Sequence, residues 1–388
     1  QTLPPRVTPR SLYVHVPFCA RRCFYCDFAV HAARQPPTGA WLEAVGQELE
    51  LLAIERGWRA PLELQTLYVG GGTPSLLGSG AMQRLLAQLS SHAGLSPGAE
   101  WTGEANPESF SAELAMDWRS AGVNRISLGV QTFSVPALRW MGRLHGPEGP
   151  ARAVLAARAA GFDNLSLDLI FGLPERLERD WAGDLRHALE LEPEHISLYG
   201  LTAEAGAPLG RRVTEGREAL ADDDRYADEY LLAHEQLVAA GYEHYEVSSF
   251  ARPGFRSRHN GVYWTGNPYA ALGPGAHALY PPVRRWNLRD WDAYRRALQQ
   301  GKLPVEDEEV VDQDAAALER VWLALRTVGG ISLTPAAPEQ LHLVADWAQR
   351  GWAVVRGASV QLTPEGWLLL DRLALEFAEA RPVLANCS

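Results

Sequence analysis

Short runs with β-strand character alternate with helix-like segments over the first half of the chain. The runs are SLYVHV from Ser11, QTLYVG from Gln65, EWTGEA from Glu100, NRISLGV from Asn124, NLSLDLI from Asn164 and HISLYGL from His195. In the segments between them apolar residues recur at spacings of three and four, and several segments end on glycine, as helices do. This alternation predicts an α/β fold with a parallel sheet and helices outside it. Six such units favour a partial (β/α)6 barrel of the TIM type over a closed eight-stranded barrel.

Polar and glycine residues collect where the predicted strands end. The positions are a cysteine-containing loop, the GGGTP stretch Gly70–Pro74, Glu104 with Asn106, Gln131, Asp168 with FGLP, and Tyr199 with Gly200. In a parallel barrel the carboxyl ends of all strands face one rim, and that rim holds the active site. We therefore expect these residues to lie around one site.

The pattern changes after about residue 205, and we predict three parts. Residues 1–205 form the barrel domain, and residues 206–305 form an extension rich in aromatic residues, glycine and histidine. Residues 306–388 form a smaller C-terminal α+β domain. Two helical patterns, a hairpin-like WAVVRGASVQLT and a final helix PEGWLLLDRLALEFAEA predict a winged-helix-like module there.

Charge and composition exclude several classes of function. The formal net charge is 36 − 47 = −11, which is unfavourable for general nucleic-acid binding and for an anionic membrane surface. We expect no nucleic-acid partner, and membrane contact at most peripherally through an acceptor protein. The opening QTLPPRVTPR lacks the pattern of a secretory signal, and four cysteines do not form a disulfide framework. Both features indicate a reducing cytoplasm.

Three of the four cysteines have the spacing C-x3-C-x2-C, at Cys19, Cys23 and Cys26. Thiolates are soft ligands that suit iron–sulfur clusters or zinc. A loop this short can bind three irons of a cubane cluster and leave the fourth iron open. A zinc site completed by a nearby histidine and a set of reduced surface thiols are the alternatives. The fourth cysteine, Cys387, is interpreted as an incidental thiol near the chain end.

The string YVHVPFCARRCFYCDF around these cysteines resembles the start of radical S-adenosylmethionine (SAM) proteins of the coproporphyrinogen III oxidase-like group. The motifs GGGTPS, EANP, GVQ, DLIFGLP and SLYGLT follow in the order of that family, so the resemblance spans most of the chain. It implies a [4Fe-4S] cluster whose open iron chelates the amino and carboxylate groups of SAM. In the family, an electron from the cluster can cleave SAM to a 5′-deoxyadenosyl radical.

The resemblance also implies cofactor-binding positions. SAM contacts are expected at Tyr13, Gly71, Thr73 and Glu104. Residues that match positions contacting a second SAM, or otherwise lining the pocket, are Gln131, Arg143 and Asp168. Further cofactor-binding positions are expected at Tyr25, Gly72 and Gly200. The glycines of GGGTP are expected to let the backbone approach a ligand where a Cβ atom would clash, and a tight turn is the alternative.

Two further motifs resemble the signature of one branch of this group, the heme chaperones known as HemW. They are RHNGVYW, Arg258–Trp264, which contains HNxxYW, and GPGAH, Gly273–His277. Proteins of that branch bind heme and deliver it to acceptor proteins. An imidazole is a good axial ligand for heme iron, so His259 is the first candidate ligand and His277 the second. The alternative for His259 is a hydrogen-bonded packing cluster.

Three functions compete at this point. A heme chaperone carrying a cluster and SAM is the first, and an oxygen-independent coproporphyrinogen III dehydrogenase is the second. The oxidases usually have a further cysteine two positions after the third, where this chain has Phe28, and this departure favours the chaperone. A zinc-binding structural protein is the third. An electron donor such as flavodoxin or ferredoxin is implied, and Arg21 with Arg22 either dock it or form a solvated face.

Overall fold

The structure is a computed structural model that describes residues 8–334 and 336–380. Cys387 lies outside the described residues, as do the first residues of the stretch on which the prediction of no secretory signal depended. In chain order the strands are β1 (Ser11–Val16), β2 (Phe18–Cys19), β3 (His31–Ala32), β4 (Leu62–Gly71), β5 (Ala93–Ala105), β6 (Arg125–Gln131), β7 (Leu165–Phe171), β8 (His195–Gly200), β9 (Glu243–Glu246), β10 (Ser249–Ala251), β11 (Ala270–Leu272), β12 (His277–Tyr280), β13 (Val283–Asn287), β14 (Val305–Val310), β15 (Ile331–Ser332), β16 (Ala353–Arg356) and β17 (Ser359–Leu362).

The helices alternate with these strands through the first half of the chain and dominate the C-terminal part. In chain order they are α1 (Thr38–Arg56), α2 (Ala81–Leu89), α3 (Ala112–Ala121), α4 (Val135–Met141), α5 (Gly149–Ala159), α6 (Trp181–Glu190), α7 (Pro208–Thr214), α8 (Asp223–Ala239), α9 (Arg258–Trp264), α10 (Trp291–Gln299), α11 (Gln313–Leu325), α12 (Pro338–Gln349), α13 (Pro364–Trp367) and α14 (Leu370–Glu379).

The main sheet has the strand order β11-β1-β4-β5-β6-β7-β8-β10-β9. All six predicted strands are present and parallel to one another. The sheet also extends beyond them: β11 pairs in parallel with β1, and β10 and β9 add antiparallel at the other edge. Within the described residues β11 and β9 do not pair, so the barrel is partial, as predicted.

The sequence pattern predicts several helices incorrectly. The helix-like segment between QTLYVG and EWTGEA, from Gly80 to Gly94, is helical only to Leu89, because Ala93 pairs with Leu62 as the start of β5. The predicted final helix is divided into α13 and α14. Helix α4 was missed because its seven residues are too few to display a helical period.

The C-terminal part contains two small antiparallel sheets, β12-β13-β14 and β15-β17-β16. The acidic residues of EDEEVVDQD form most of β14, where Glu309 is opposite Arg284 and Glu308 is opposite Arg285. Opposite charges on facing strands stabilise such a ladder. The predicted hairpin is β16–β17, and it packs with helices α11 to α14 in a smaller α+β domain with winged-helix-like character. The division into three parts stays a prediction, although β9, β10 and β11 from the predicted extension join the main sheet.

Hydropathy along the helices of the described ranges gives no membrane-crossing candidate, since none of these helices is both long and apolar enough.

A buried carboxylate ties β11 to the outer helices. Glu48 on α1 is 3% exposed and accepts hydrogen bonds from the Gly273 backbone N–H at 2.8 Å and from the Tyr294 hydroxyl at 2.6 Å. The Asn287 side-chain amide also donates to it. Burial raises the pKa of Glu48 from 4.5 to about 7. The folded state therefore binds a proton more tightly than the unfolded chain, and the stability from this site falls as the pH rises from about 4.5 to about 7.

We expect Tyr294→Phe to lower the free energy of unfolding by about 1–3 kcal/mol at pH 8.5, where Glu48 is ionised, and by less at pH 6. The reason is that the lost hydroxyl donates to a carboxylate that needs it most when charged. Urea unfolding at the two pH values measures the difference. Tyr280→Phe is the matched control, because the Tyr280 hydroxyl is buried without a hydrogen-bond partner in the described structure. An equal loss at both pH values would contradict this account of Glu48.

Candidate functional site

A cavity of about 990 Å³ lies at the carboxyl ends of the parallel strands. Its wall contains the cysteine loop, Cys19 to Val30, and the glycine loop, Gly71 to Thr73, at the end of β4. Residues near the ends of β5 to β8 and residues from α9, β12 and α11 complete the wall. This volume is at the upper end of the range for small-molecule sites, about 300–1,000 Å³. All predicted site residues except His259 line the cavity, so the structure brings together positions that are far apart in sequence.

The three cysteines lie in one loop that is closed at its base. Strand β2 pairs with β3, and the Ala33 backbone N–H donates to the Cys19 carbonyl at 2.8 Å. The three thiols are free and partly buried. Burial raises the pKa of Cys19 to about 11 and also raises that of Cys26, so these thiols stay protonated until a metal replaces the protons. A set of three soft donors in one cavity wall fits an iron–sulfur cluster with an open position.

The glycine loop docks against the cysteine loop through its backbone. Gly72 N–H donates to the Val16 carbonyl and Thr73 N–H to the Phe18 carbonyl, each at 2.7 Å. A Cβ atom at Gly72 would lie 2.6 Å from the Phe18 carbonyl oxygen, and one at Gly71, whose φ is +108°, would lie 2.4 Å from the His15 ring. The protein's own loops therefore leave no room for a side chain at Gly71 or Gly72, and the close approach of a ligand to this backbone stays a prediction.

A chain of side-chain hydrogen bonds links the cysteine loop to Arg143. The Thr73 hydroxyl donates to the Cys19 sulfur at 3.4 Å and accepts from the Asn106 amide at 3.0 Å. Arg143 Nη2 donates to Asn106 Oδ1 and to the Gly129 carbonyl oxygen, each at 2.6 Å. These contacts hold a partly buried guanidinium beside the thiols, where its positive charge favours anionic sulfur or a ligand carboxylate.

Two partly buried carboxylates lie in the cavity wall, Glu104 near the end of β5 and Asp168 in the middle of β7. Glu104 accepts from the Tyr68 hydroxyl at 2.6 Å and from the Gly71 backbone N–H at 2.9 Å, and burial raises its pKa to about 7. Asp168 accepts from the Ser127 hydroxyl at 3.0 Å, and burial raises its pKa as well. A cation bound nearby would favour the ionised form of both groups. This end of the cavity is therefore suited to a positively charged ligand.

His15 connects β1 to the end of the cysteine loop. Its Nε2 lies 2.9 Å from the Ala29 carbonyl oxygen, which can only accept, so Nε2 carries the proton. Nδ1 then accepts from the Tyr13 hydroxyl at 3.0 Å. Burial lowers the pKa of His15 to about 4, so the ring is neutral. Both nitrogens are occupied, and Tyr13 is held in the cavity wall.

Three other predicted residues, Gln131, Gly200 and Tyr25, also lie in the cavity wall. Gln131 ends β6 with a φ of +68°, a strained conformation for a residue other than glycine and one that is concentrated at functional sites. A Cβ atom at Gly200 would lie 1.8 Å from the Tyr226 hydroxyl oxygen, so a larger residue fits there only if the Tyr226 side chain moves. Burial raises the pKa of the Tyr25 phenol, which therefore stays neutral.

His259 does not reach the cavity. It is 1% exposed, its Nδ1 lies 2.8 Å from the Thr66 hydroxyl, and its Nε2 lies 2.9 Å from the Tyr263 hydroxyl. This is the hydrogen-bonded cluster that we had set beside the heme-ligand hypothesis. The two neighbours of its motif that do line the cavity are Tyr263 and Trp264.

His277, at the start of β12, lines the cavity and is exposed. Its ring stacks on Trp286, with the ring centres 5.7 Å apart and the planes inclined by 20°. Neither ring nitrogen has a hydrogen-bond partner among residues 8–334 and 336–380. Of the two histidines in the cavity wall, His15 and His277, only His277 therefore has a nitrogen free to bind a ligand.

Sequence reasoning missed Tyr68 and assigned no role to Ser127. Each precedes a predicted position on the same strand by an even number of residues, and alternate residues of a strand face the same side. Following the two-residue alternation of a strand backward from Gly70 leads to Tyr68, and following it backward from Gln131 leads to Ser127.

We expect Gly72→Ala to displace the cysteine loop, because the added methyl group overlaps the Phe18 carbonyl oxygen. After anaerobic reconstitution, iron and sulfide should fall from about four each per chain to less than about half of that.

Gly94→Ala is the matched control, since a Cβ atom at Gly94 in β5 meets nothing within 4 Å. It should load iron as the wild type does. Normal loading of the Gly72 variant would contradict the role given to this loop contact.

Comparison with known proteins places these features in a family. A model described as the radical SAM superfamily matches residues 13–188, which include the three cysteines and the strand ends through Asp168. The chain is 38% identical over 366 residues to the heme chaperone HemW of Mycobacterium tuberculosis, an alignment that covers 94% of this chain and 93% of the relative. It is 41% identical over 274 residues to the heme chaperone HemW of Escherichia coli, covering 70% of each.

A solved structure has the same overall architecture. Coproporphyrinogen III oxidase HemN from Escherichia coli, a radical SAM enzyme, aligns with a TM-score of 0.81 over 96% of this chain and 91% of its own. The two sequences are 24% identical, so this likeness demonstrates a shared fold alone.

Proposed function

This chain belongs to the radical SAM superfamily and, within it, to the HemW-type branch, and from that premise we propose that it is a heme chaperone that holds a [4Fe-4S] cluster and SAM. Its cargo is heme, which it passes to acceptor proteins. The observation that carries the proposal is the make-up of one cavity. Three free thiols, two partly buried carboxylates and a histidine with free ring nitrogens all line it.

Cys19, Cys23 and Cys26 would hold the cluster, which supplies, when bound, an iron with an open coordination position for SAM. The protein's own residues prepare the place for that ligand. Glu104 and Asp168 would accept hydrogen bonds from the amino group of SAM and offer negative charge to its sulfonium, and Tyr13 is held in the same cavity wall through His15. Arg143 offers positive charge on the side of the thiols.

His277 is the histidine that best suits the heme iron. Its imidazole is in the cavity wall with both nitrogens free, whereas His259 is buried and has both of its nitrogens hydrogen-bonded. Side chains with apolar surface lie in the same wall, among them Trp264, Leu279 and Leu323. Apolar and aromatic surface suits the face of a porphyrin. We therefore assign the axial ligand to His277 rather than to the first candidate of the sequence motif.

The remaining partners follow from the same family assignment. We propose a cytoplasmic location, a flavodoxin or ferredoxin as electron donor, and membrane contact only through an acceptor protein. Arg21 and Arg22 are in the wall near the cysteines and would meet the acidic surface of such a donor.

Heme titration tests the ligand assignment. Adding heme to the reconstituted protein should produce a Soret shift that is lost or strongly reduced in His277→Ala, because the imidazole nitrogen is removed. His342→Ala is the control, since His342 lies on α12 outside the cavity wall. A shift that survives in His277→Ala but disappears in His259→Ala would transfer the assignment to His259.

A second assay separates the chaperone from the dehydrogenase. The reduced, cluster-loaded protein with SAM should not convert coproporphyrinogen III to protoporphyrinogen IX at a useful rate. The position of the further cysteine found in the oxidases is occupied by Phe28, whose side chain is 61% exposed. Robust conversion, measured by porphyrin fluorescence after oxidation, would replace the chaperone proposal with the dehydrogenase.

A further inference from the structure

The HNGVYW motif forms α9, a short helix attached to the barrel by a buried carboxylate. Glu100 on β5 is 6% exposed and accepts from the backbone N–H groups of Arg258 at 3.0 Å and His259 at 2.9 Å. Ser257 caps the helix by accepting from the Asn260 N–H. The start of α9 is therefore held against the sheet, and the His259 side chain enters the barrel interior.

Three neighbours surround the His259 ring. Thr66 on β4 lies 2.8 Å from Nδ1, and Tyr263, one turn along α9, lies 2.9 Å from Nε2. The ring of Tyr68 packs against that of His259, with the centres 5.1 Å apart and the planes inclined by 31°. Both polar atoms and one face of the imidazole are thus used within the protein.

These contacts continue to the cavity wall. The Tyr68 hydroxyl donates to Glu104 Oε1 at 2.6 Å, and the other carboxylate oxygen accepts from Gly71 N–H in the glycine loop. Tyr263 itself lines the cavity. One imidazole therefore supports two residues, Tyr68 and Tyr263, that shape the side of the cavity holding Glu104.

We propose that His259 is a positioning residue for SAM: it fixes Tyr68 and Tyr263, and through Tyr68 it aims the Glu104 carboxylate at the cationic end of the ligand. This inference rests on the proposed function, because it takes SAM to be bound beside Glu104. It gives the HNxxYW motif a structural task at the SAM site. Ligation of iron through either nitrogen of His259 would break one of these two buried hydrogen bonds.

Two substitutions of His259 test the inference. His259→Phe loses the hydrogen bonds to Thr66 and Tyr263 that fix the ring in place against Tyr68, so the new ring is no longer anchored there, and we expect SAM binding to weaken about tenfold, equivalent to about 1.4 kcal/mol. His259→Gln retains a donor and an acceptor for Thr66 and Tyr263 and places a planar amide beside Tyr68, so it should stay within about threefold of the wild type. SAM affinity is measured by calorimetry on the reconstituted protein. The heme Soret shift should be unchanged in both variants.

A double-mutant cycle with Tyr68→Phe tests the route. If His259 acts through Tyr68, the double variant should bind SAM no more than about twofold more weakly than Tyr68→Phe alone. A second readout, amide hydrogen exchange at Gly71, needs no cofactor and uses the cluster-free protein. The Gly71 N–H donates to the Glu104 carboxylate, which Tyr68 holds in place. Exchange should therefore be faster in His259→Phe and in Tyr68→Phe, because that carboxylate is less well fixed.

His244→Phe is the matched control for removing a buried histidine. Its ring stacks on Phe250 with centres 3.8 Å apart, and it does not line the cavity. It should leave SAM affinity and Gly71 exchange as in the wild type.

Normal SAM affinity in His259→Phe, or additive losses in the double variant, would overturn the inference. Loss of the Soret shift in His259→Phe with SAM binding retained would make His259 an iron ligand instead. A wild-type protein that binds neither SAM nor heme would refute the proposed function, which is a distinct result.

Discussion

The backbone contact between the glycine loop and the cysteine loop is the constraint on which the rest of the site depends. Gly72 and Thr73 donate to the carbonyl groups of Val16 and Phe18, and this brings the end of β4 within hydrogen-bond distance of the segment that leads into Cys19. The loop with the thiols has little regular structure of its own. Its position is therefore set by neighbours, namely this contact, the short β2–β3 pairing and the His15 bond to Ala29. A metal centre built on such a loop needs that external frame.

The second organising feature is a polar barrel interior. Alternate strand residues such as Tyr68, Glu104, Ser127 and Asp168 point into the barrel and are hydrogen-bonded there. Polar groups in a barrel interior stabilise the fold less than apolar side chains would. Removing two carboxylates even partly from water is costly unless hydrogen bonds or a bound cation compensate. The raised pKa values of Glu104 and Asp168 indicate that the hydrogen bonds compensate only in part. A cationic ligand would supply the remainder, which is consistent with SAM as the ligand of this family.

The two candidate heme ligands illustrate how motif and geometry differ. His259 and His277 are both next to aromatic residues and glycines in sequence, and either is chemically able to bind iron. In the fold, His259 is enclosed by Thr66, Tyr68 and Tyr263, whereas His277 lies in the cavity wall with both nitrogens free. In our proposal His259 positions the residues that contact SAM, and His277 binds the heme iron. Under the proposed function, SAM and heme would both bind in this one cavity.

The sequence by itself determined the strand–helix alternation, the six parallel strands and the rim where polar residues meet, because these depend on local period and on strand direction. It also determined the C-x3-C-x2-C donor set, since three thiols within eight residues must lie close together. Only the tertiary structure decided that Gly71 and Gly72 make room for His15 and Phe18 and that β11 extends the sheet. It also decided that both ring nitrogens of His259 are hydrogen-bonded, whereas those of His277 are free in the cavity wall. These outcomes depend on which distant residues meet: Thr66 and His259, for example, are 193 positions apart. No local pattern records such a contact.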